Sequence, residues 1–218
     1  SSMTRMLRRI PAMFLFGLAM VTALVAAAAP LDTVFSGYGA LASKNWSANV
    51  PLVKEWAAMA QRFKQQQSDC QPADGCAKFK ALVGSLTGLS LLEQLKKVKA
   101  DEAGIPYVED SKNYGKADYW ATPYETLSKG SGDAEDYAIL SYYALRAAGV
   151  PAASMRVLAV YIKAQKVGHA ILAVDTAPKP LILSNLDPKP MPAQLSGVVM
   201  QPLLGFNEDG WWYYNKAQ

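Results

Sequence analysis

The chain has 218 residues, 51% of them apolar, with a formal charge of +4. That is enough material for one substantial hydrophobic core. Arg5, Arg8 and Arg9 are the only charged residues before Pro30, so without residues 1–29 the +4 falls by three to +1. A charge so near zero gives no electrostatic basis for a nucleic-acid partner. Residues 1–29 have the layout of a secretory signal peptide: a positive start, an apolar run from Met13 to Ala29, and small residues Ala27-Ala28-Ala29 before Pro30. The competing reading is a retained membrane anchor, since the run is about long enough to span a bilayer. With cleavage, the mature protein is periplasmic and has no stable membrane span. Residues 30–218 then form one domain, with no internal repeat and no low-complexity linker.

Residues 30–49, rich in Gly, Ser and Ala, are expected to be irregular. From Leu52 to Gln67 the apolar residues Val53, Trp56, Ala57, Ala60 and Phe63 recur at helical spacing. Cys70 and Cys76 flank the turn-forming Gln71-Pro72-Ala73-Asp74-Gly75. In an exported protein this pair reads first as a disulfide, with a metal pair or a catalytic thiol as alternatives. Phe79, Leu82, Val83 and Leu86 continue the helical pattern, and Ser90 can cap a helix from Leu91 to about Ala103. Gly104–Gly132 is loop-rich. A further helix runs from Asp133 to about Ala148, with Gly149 and Pro151 as stop signals. Strand signals follow at Met155–Ile162, Gly168–Val174 and Leu181–Leu183, with a fourth at Trp211–Tyr214. Helices first and strands second is α+β, with the helices packed on a small antiparallel sheet.

The chemistry-bearing frame is a helix start followed by strands. A thiol at a helix N-terminus is acidified by free N–H groups and the dipole, a His on a strand exchanges its proton, and a third group orients that His. Here Gly132-Asp133-Ala134-Glu135-Asp136 opens the helix, His169 (the only histidine) sits in a strand, and a later strand ends at Ser184-Asn185-Leu186-Asp187. Gly132-Asp133-Ala134-Glu135-Asp136-Tyr137-Ala138 resembles the G-D-C-E-D-[YF]-A signature of the bacterial transglutaminase-like cysteine proteinases. Asp118-Tyr119-Trp120-Ala121-Thr122-Pro123-Tyr124-Glu125, Gly168-His169-Ala170-Ile171-Leu172, Leu181-Ile182-Leu183-Ser184-Asn185-Leu186 and Glu208-Asp209-Gly210-Trp211-Trp212 are similar to further motifs of that family, in order, over about residues 50–215. The family includes the LapG-type periplasmic proteases that clip surface adhesins in biofilm control. The resemblance implies a papain/transglutaminase-like fold.

It also implies that the family's nucleophilic Cys falls on Ala134 and its orienting Asp on Ser184, leaving His169 as the one retained member. A methyl group cannot attack a carbonyl. The chain therefore reads as an inactive relative, or as an endopeptidase whose Cys has been changed to Ala. Asp187 could reach His169 after a register shift, and Cys70 or Cys76 could replace the thiol. Each position also has a plainer reading. His169 can be a satisfied core histidine. Asp133 can be a helix cap, with Glu135 and Asp136 complementing the dipole. The rival for Asp133, Glu135 and Asp136 is Ca²⁺, which the resemblance to LapG-type relatives implies at this acidic cluster. Tyr119, Trp120, Trp211 and Trp212 can line a peptide groove or belong to the core. The expected partners are a peptide or adhesin segment, or the periplasmic domain of an inner-membrane receptor.

Overall fold

In the computed structural model, which describes residues 29–196 and 198–218, the first long helix, α1, spans Pro51–Asp69. Proline at its first turn costs no helical hydrogen bond, and the chain leaves it through Cys70 in a left-handed conformation (φ 50°). Val53, Trp56, Met59 and Phe63 form its buried face. The disulfide between Cys70 and Cys76 joins this end of α1 to α2, Ala73–Leu86. Helix α3, Leu91–Ala103, is capped by Ser90 as the sequence suggests, and Glu93 completes a capping box. The expected signal segment lies, but for Ala29, outside the described residues. Among the described residues no helix is long and apolar enough to cross a membrane.

The stretch 104–132 is more ordered than expected. It holds α4, Asp110–Asn113, and α5, Pro123–Lys129, the latter started by a Thr122/Glu125 capping box. These helices are too short to leave a periodic signal, so the turn residues around them dominate the sequence pattern. Helix α6, Ala134–Ala147, follows and is buried along most of its length.

The sheet is larger than the sequence suggests. Its seven strands are β1 (Tyr38–Ser43), β2 (Met155–Ile162), β3 (Val167–Val174), β4 (Leu181–Leu183), β5 (Met191–Pro192), β6 (Met200–Asn207) and β7 (Gly210–Lys216). They are ordered β1-β7-β6-β2-β3-β4-β5, and all the pairs are antiparallel. Strand β1 falls in the segment expected to be irregular and forms by pairing with the distant β7, Tyr38 opposite Lys216 through Ser43 opposite Trp211. Strand β6 contains Pro202 and Gly205, residues that argue against a strand interior. The register shift opposite Ala159 and Val160 absorbs the irregularity: Ala159 faces Leu204 and Val160 faces Pro202, so Leu203 is an extra residue in the ladder. At Gly205 a Cβ would lie 2.9 Å from Leu158 Cδ2 and 3.1 Å from the Tyr214 ring, so tight packing selects glycine.

Strands β2 and β3 are continuously apolar because both sheet faces are covered. Val157, Ala159, Ala170 and Leu172 point into one core with the helices, while Leu158, Val160, Ile171 and Ala173 point into a second core with Leu31, Val34 and Phe35. Arg156 fastens the N-terminal segment on this second face. It is 5% exposed, pairs with Asp32 at 2.7 Å, bonds the Tyr214 hydroxyl at 3.0 Å and lies 3.8 Å over the Trp212 ring. On the first face α6 packs against β3 and β2, bringing its N-terminal end into one region with His169.

Candidate functional site

The mouth of α6 is held by Asp136. Its carboxylate is fully buried; Oδ2 accepts from the Asp133 N–H and Oδ1 from the Ala121 N–H, each at 3.0 Å. One side chain thus closes the first turn of α6 and ties it to the segment leading into α5. Gly132 must lack a side chain here, since a Cβ would come 2.9 Å from Asp136 Cβ. Backbone bonds from Gly132 N–H to Pro106 O and from Val108 N–H to Gly132 O dock the loop that carries Asp110 beside the helix mouth.

Asp110, Asp133 and Glu135 converge there, offering one carboxylate oxygen each within 4.8 Å of one another. Asp110 Oδ2 accepts from the Tyr119 N–H at 2.6 Å. Its Oδ1 and that of Asp133 are buried and accept no hydrogen bond. The expected trio was Asp133, Glu135 and Asp136. The structure keeps the first two together, commits Asp136 to backbone N–H groups and supplies Asp110 instead. Asp110 lies in a loop with no spacing relation to α6, so only the fold could bring it in. All four carboxyls are pushed above their ordinary range. Burial is the first cause for each. The Asp133 charge adds to it at Asp110, Glu135 and Asp136, and the Asp118 charge at Asp133.

A cavity of about 250 Å³ opens beside this cluster, with Trp120, Asp118, Glu135, His169 and Leu203 among its walls. His169 Nε2 lies 3.0 Å from Ser184 Oγ, so the two residues singled out in separate strands are directly bonded. Ser184 is 2% exposed, and its Oγ also accepts from the Leu186 N–H at 3.2 Å. Burial lowers the imidazole to about 4 despite the opposing pull of Asp187, leaving it neutral at physiological pH. Asp187 therefore acts on His169 through its charge; its carboxylate accepts from the Ser196 hydroxyl at 2.7 Å.

Ala134 is the first residue of α6, 7% exposed, its methyl part of the apolar core. The two cysteines of the chain bond each other, so neither offers a thiol to this site. The four aromatic residues part company. Trp120 lines the cavity, and Tyr119 lies under the Arg62 guanidinium. Trp211 is not part of the cavity wall: it packs on the helical core and donates from Nε1 to Asn45 O at 3.0 Å. Trp212 sits on the opposite face beneath Arg156. Adjacent strand residues point to opposite sheet faces, which is why Trp211 and Trp212 cannot share a groove.

Residues 59–196 match the family model for the bacterial transglutaminase-like cysteine proteinases. Among solved structures, calcium-bound LapG from Legionella pneumophila is similar at 29% identity and a TM-score of 0.57, over 68% of this chain and 84% of that one. EGTA-treated LapG from the same organism is 30% identical with a TM-score of 0.58, over 66% and 77% of the two chains. No curated protein matches the chain significantly. These neighbours share the mixed helix and antiparallel-sheet architecture expected from the sequence. The matched stretch runs through the acidic cluster, the α6 mouth, His169 and Ser184 and takes in more than half of the chain, which makes this protein a member of the bacterial transglutaminase-like cysteine proteinase family.

Proposed function

We propose that this protein is an exported, non-catalytic member of its family that holds a peptide segment in the former substrate cleft without cutting it. The carrying observation is the methyl of Ala134 at the α6 mouth, where family resemblance puts the nucleophile, in a chain whose only two sulfhydryl residues form a disulfide. Ser184 stands where the orienting carboxylate belongs, so His169 faces a hydroxyl in place of a charged partner that would stabilise an imidazolium. The segment held is an adhesin strand or the periplasmic domain of an inner-membrane receptor. Residues 1–29 act as the cleaved export signal, and the disulfide suits an oxidising compartment.

Asp110, Asp133 and Glu135 would hold Ca²⁺. Two of their buried oxygens have no donor, and hard carboxylate oxygens are what this ion takes. A similar protein, LapG, is described in a calcium-bound form. Bound calcium would neutralise the cluster and fasten the Asp110 loop to the α6 mouth.

The test is incubation of the purified protein, verified by mass to carry alanine at 134, with adhesin-derived peptides. Calorimetric binding with no new peptide termini is the expected result. Cleavage abolished by an alkylating reagent overturns the proposal. The intact helix mouth, His169 and acidic cluster favour one rival, a calcium-dependent endopeptidase carrying a Cys-to-Ala change. Ala134→Cys alone separates the two. Vigorous proteolysis supports the rival, whereas activity that appears only with Ser184→Asp added supports a site that has lost two functional groups.

A further inference from the structure

We propose that Ser184 fixes the neutral His169 ring in its Nδ1–H form, turning the imidazole from a proton acceptor into a hydrogen-bond donor toward the cleft, where it receives a main-chain amide carbonyl of the bound peptide. The inference rests on the non-catalytic reading above. Its basis is a count of donors and acceptors around one hydroxyl. Ser184 Oγ already accepts the Leu186 N–H. The residue is 2% exposed, so its own proton has no solvent to reach. His169 Nε2, at 3.0 Å, is the remaining polar partner recorded for that oxygen.

Two protonation patterns are conceivable. With the ring proton on Nε2, that nitrogen and Leu186 would both donate to Oγ, and the serine proton would be buried without an acceptor. With the ring proton on Nδ1, the serine donates to Nε2 and each group is satisfied. Buried donors left unpaired are expensive, so the second pattern dominates. A carboxylate at 184 has no proton to give. It can only accept, and it would pull the ring proton to Nε2 and leave Nδ1 as the base that thiol chemistry requires. One substitution therefore reverses the polarity that the ring shows to the cleft.

Nδ1 bonds no described residue, and His169 forms part of the cavity wall. An Nδ1–H directed at ligand calls for an acceptor. The cleft wall already carries the Asp118 carboxylate, whose charge disfavours an anionic ligand. A neutral amide carbonyl meets both conditions.

His169 is the only histidine, so nitrogen NMR of the labelled full-length protein reads this ring without ambiguity. Near pH 7 the expected spectrum has Nδ1 protonated and Nε2 bare as the majority form. In Ser184→Asp the majority reverses to Nε2–H. In Ser184→Ala the Nδ1–H preference is lost. Titration with N-methylacetamide shifts the Nδ1–H proton downfield in the parent protein, and acetate shifts it less. A parent ring with its proton mainly on Nε2 overturns the inference, as does a parent Nδ1–H signal indifferent to the amide. If Ser184→Asp fails to fold, the parent spectrum and Ser184→Ala still decide. Neither result bears on whether the protein cuts peptides, so failure here is distinguishable from failure of the non-catalytic reading.

Discussion

Asp110→Asn is expected to stabilise the calcium-free protein at neutral pH and to lose that advantage in acid. Asp110 is 3% exposed, and its Oδ1 has no donor. Burial, joined by the charges of Asp133 and Asp118, raises its carboxyl from 3.8 to about 6. The folded chain therefore holds this proton more tightly than the unfolded chain. Stability falls as pH rises from about 4 through about 6 and stays reduced above that. A shift of about two units corresponds to roughly 3 kcal/mol. Coupling to Asp133 means that part of this is shared, so a neutral isostere should recover about 2 kcal/mol. The amide oxygen of asparagine can still accept from the Tyr119 N–H, which keeps the loop in place. Urea unfolding in the presence of EGTA, at about pH 8 and about pH 4, measures the difference. In thermal melts the gain is roughly 4–8 °C at the higher pH and close to nil at the lower. Calcium should reverse the ranking. At a hundredfold excess over its dissociation constant it adds about 2.7 kcal/mol to the parent, and less to the variant that has lost a ligand. A variant no more stable than the parent at high pH, or a gain independent of pH, refutes the reasoning that burial and neighbouring charge strain the cluster.

Other outcomes follow from the same geometry. His169 is held at about 4, below its unfolded value of about 6.5, so the parent loses stability as pH falls through that window. His169→Gln should remove up to about 3 kcal/mol of this acid sensitivity, read as the difference between two urea titrations across the range. The Cys70–Cys76 bond closes a short loop; replacing both by Ala should cost about 2 kcal/mol in denaturant unfolding and leave the His169 spectrum unchanged. Gly75 in α2 lies against α5, where a Cβ would sit 2.1 Å from the Tyr124 carbonyl oxygen. Gly75→Ala must push the two helices apart, with a loss of about 1–3 kcal/mol in thermal melts.

What could be read from the sequence was what each segment writes locally. The helical recurrence of Val53, Trp56 and Phe63, the Ser90 cap and the apolar runs of β2 and β3 each signal their element without help from elsewhere. Strands β1 and β6 were not legible, because one exists by pairing across the length of the chain and the other hides Pro202 in an irregular ladder. The site divides the same way. His169, Ser184, Asp133 and Glu135 stand in recognisable motifs. Asp110 reaches the cluster only because Gly132 pairs with its loop, a contact with no sequence period. Asp136 is set apart from Asp133 and Glu135 for a related reason. Three neighbouring carboxyls look alike in a string, but on the first turn of a helix one of them faces back toward the backbone.

That division bears on the proposal that a catalytic frame has outlasted its chemistry in this chain. Asp136 and Gly132 hold backbone: exchanging Asp136 would strand the Ala121 and Asp133 N–H groups, and a side chain at 132 would strike the Asp136 carboxylate. Glu125 likewise accepts the Thr122 N–H that opens α5 and pairs with Arg62 at 3.2 Å. Position 134 carries no such duty. Its side chain makes no hydrogen bond, and a methyl fits the apolar wall around it. At 184 the structural duty is to accept the Leu186 N–H, which a serine oxygen and a carboxylate oxygen meet equally. The two positions that the family resemblance assigns to the nucleophile and its orienting group are thus ones where the fold gives no resistance to exchange. On the proposed non-catalytic reading, exchanges confined to such positions would leave stability and cleft shape intact, and a module that binds peptide without cutting it requires both.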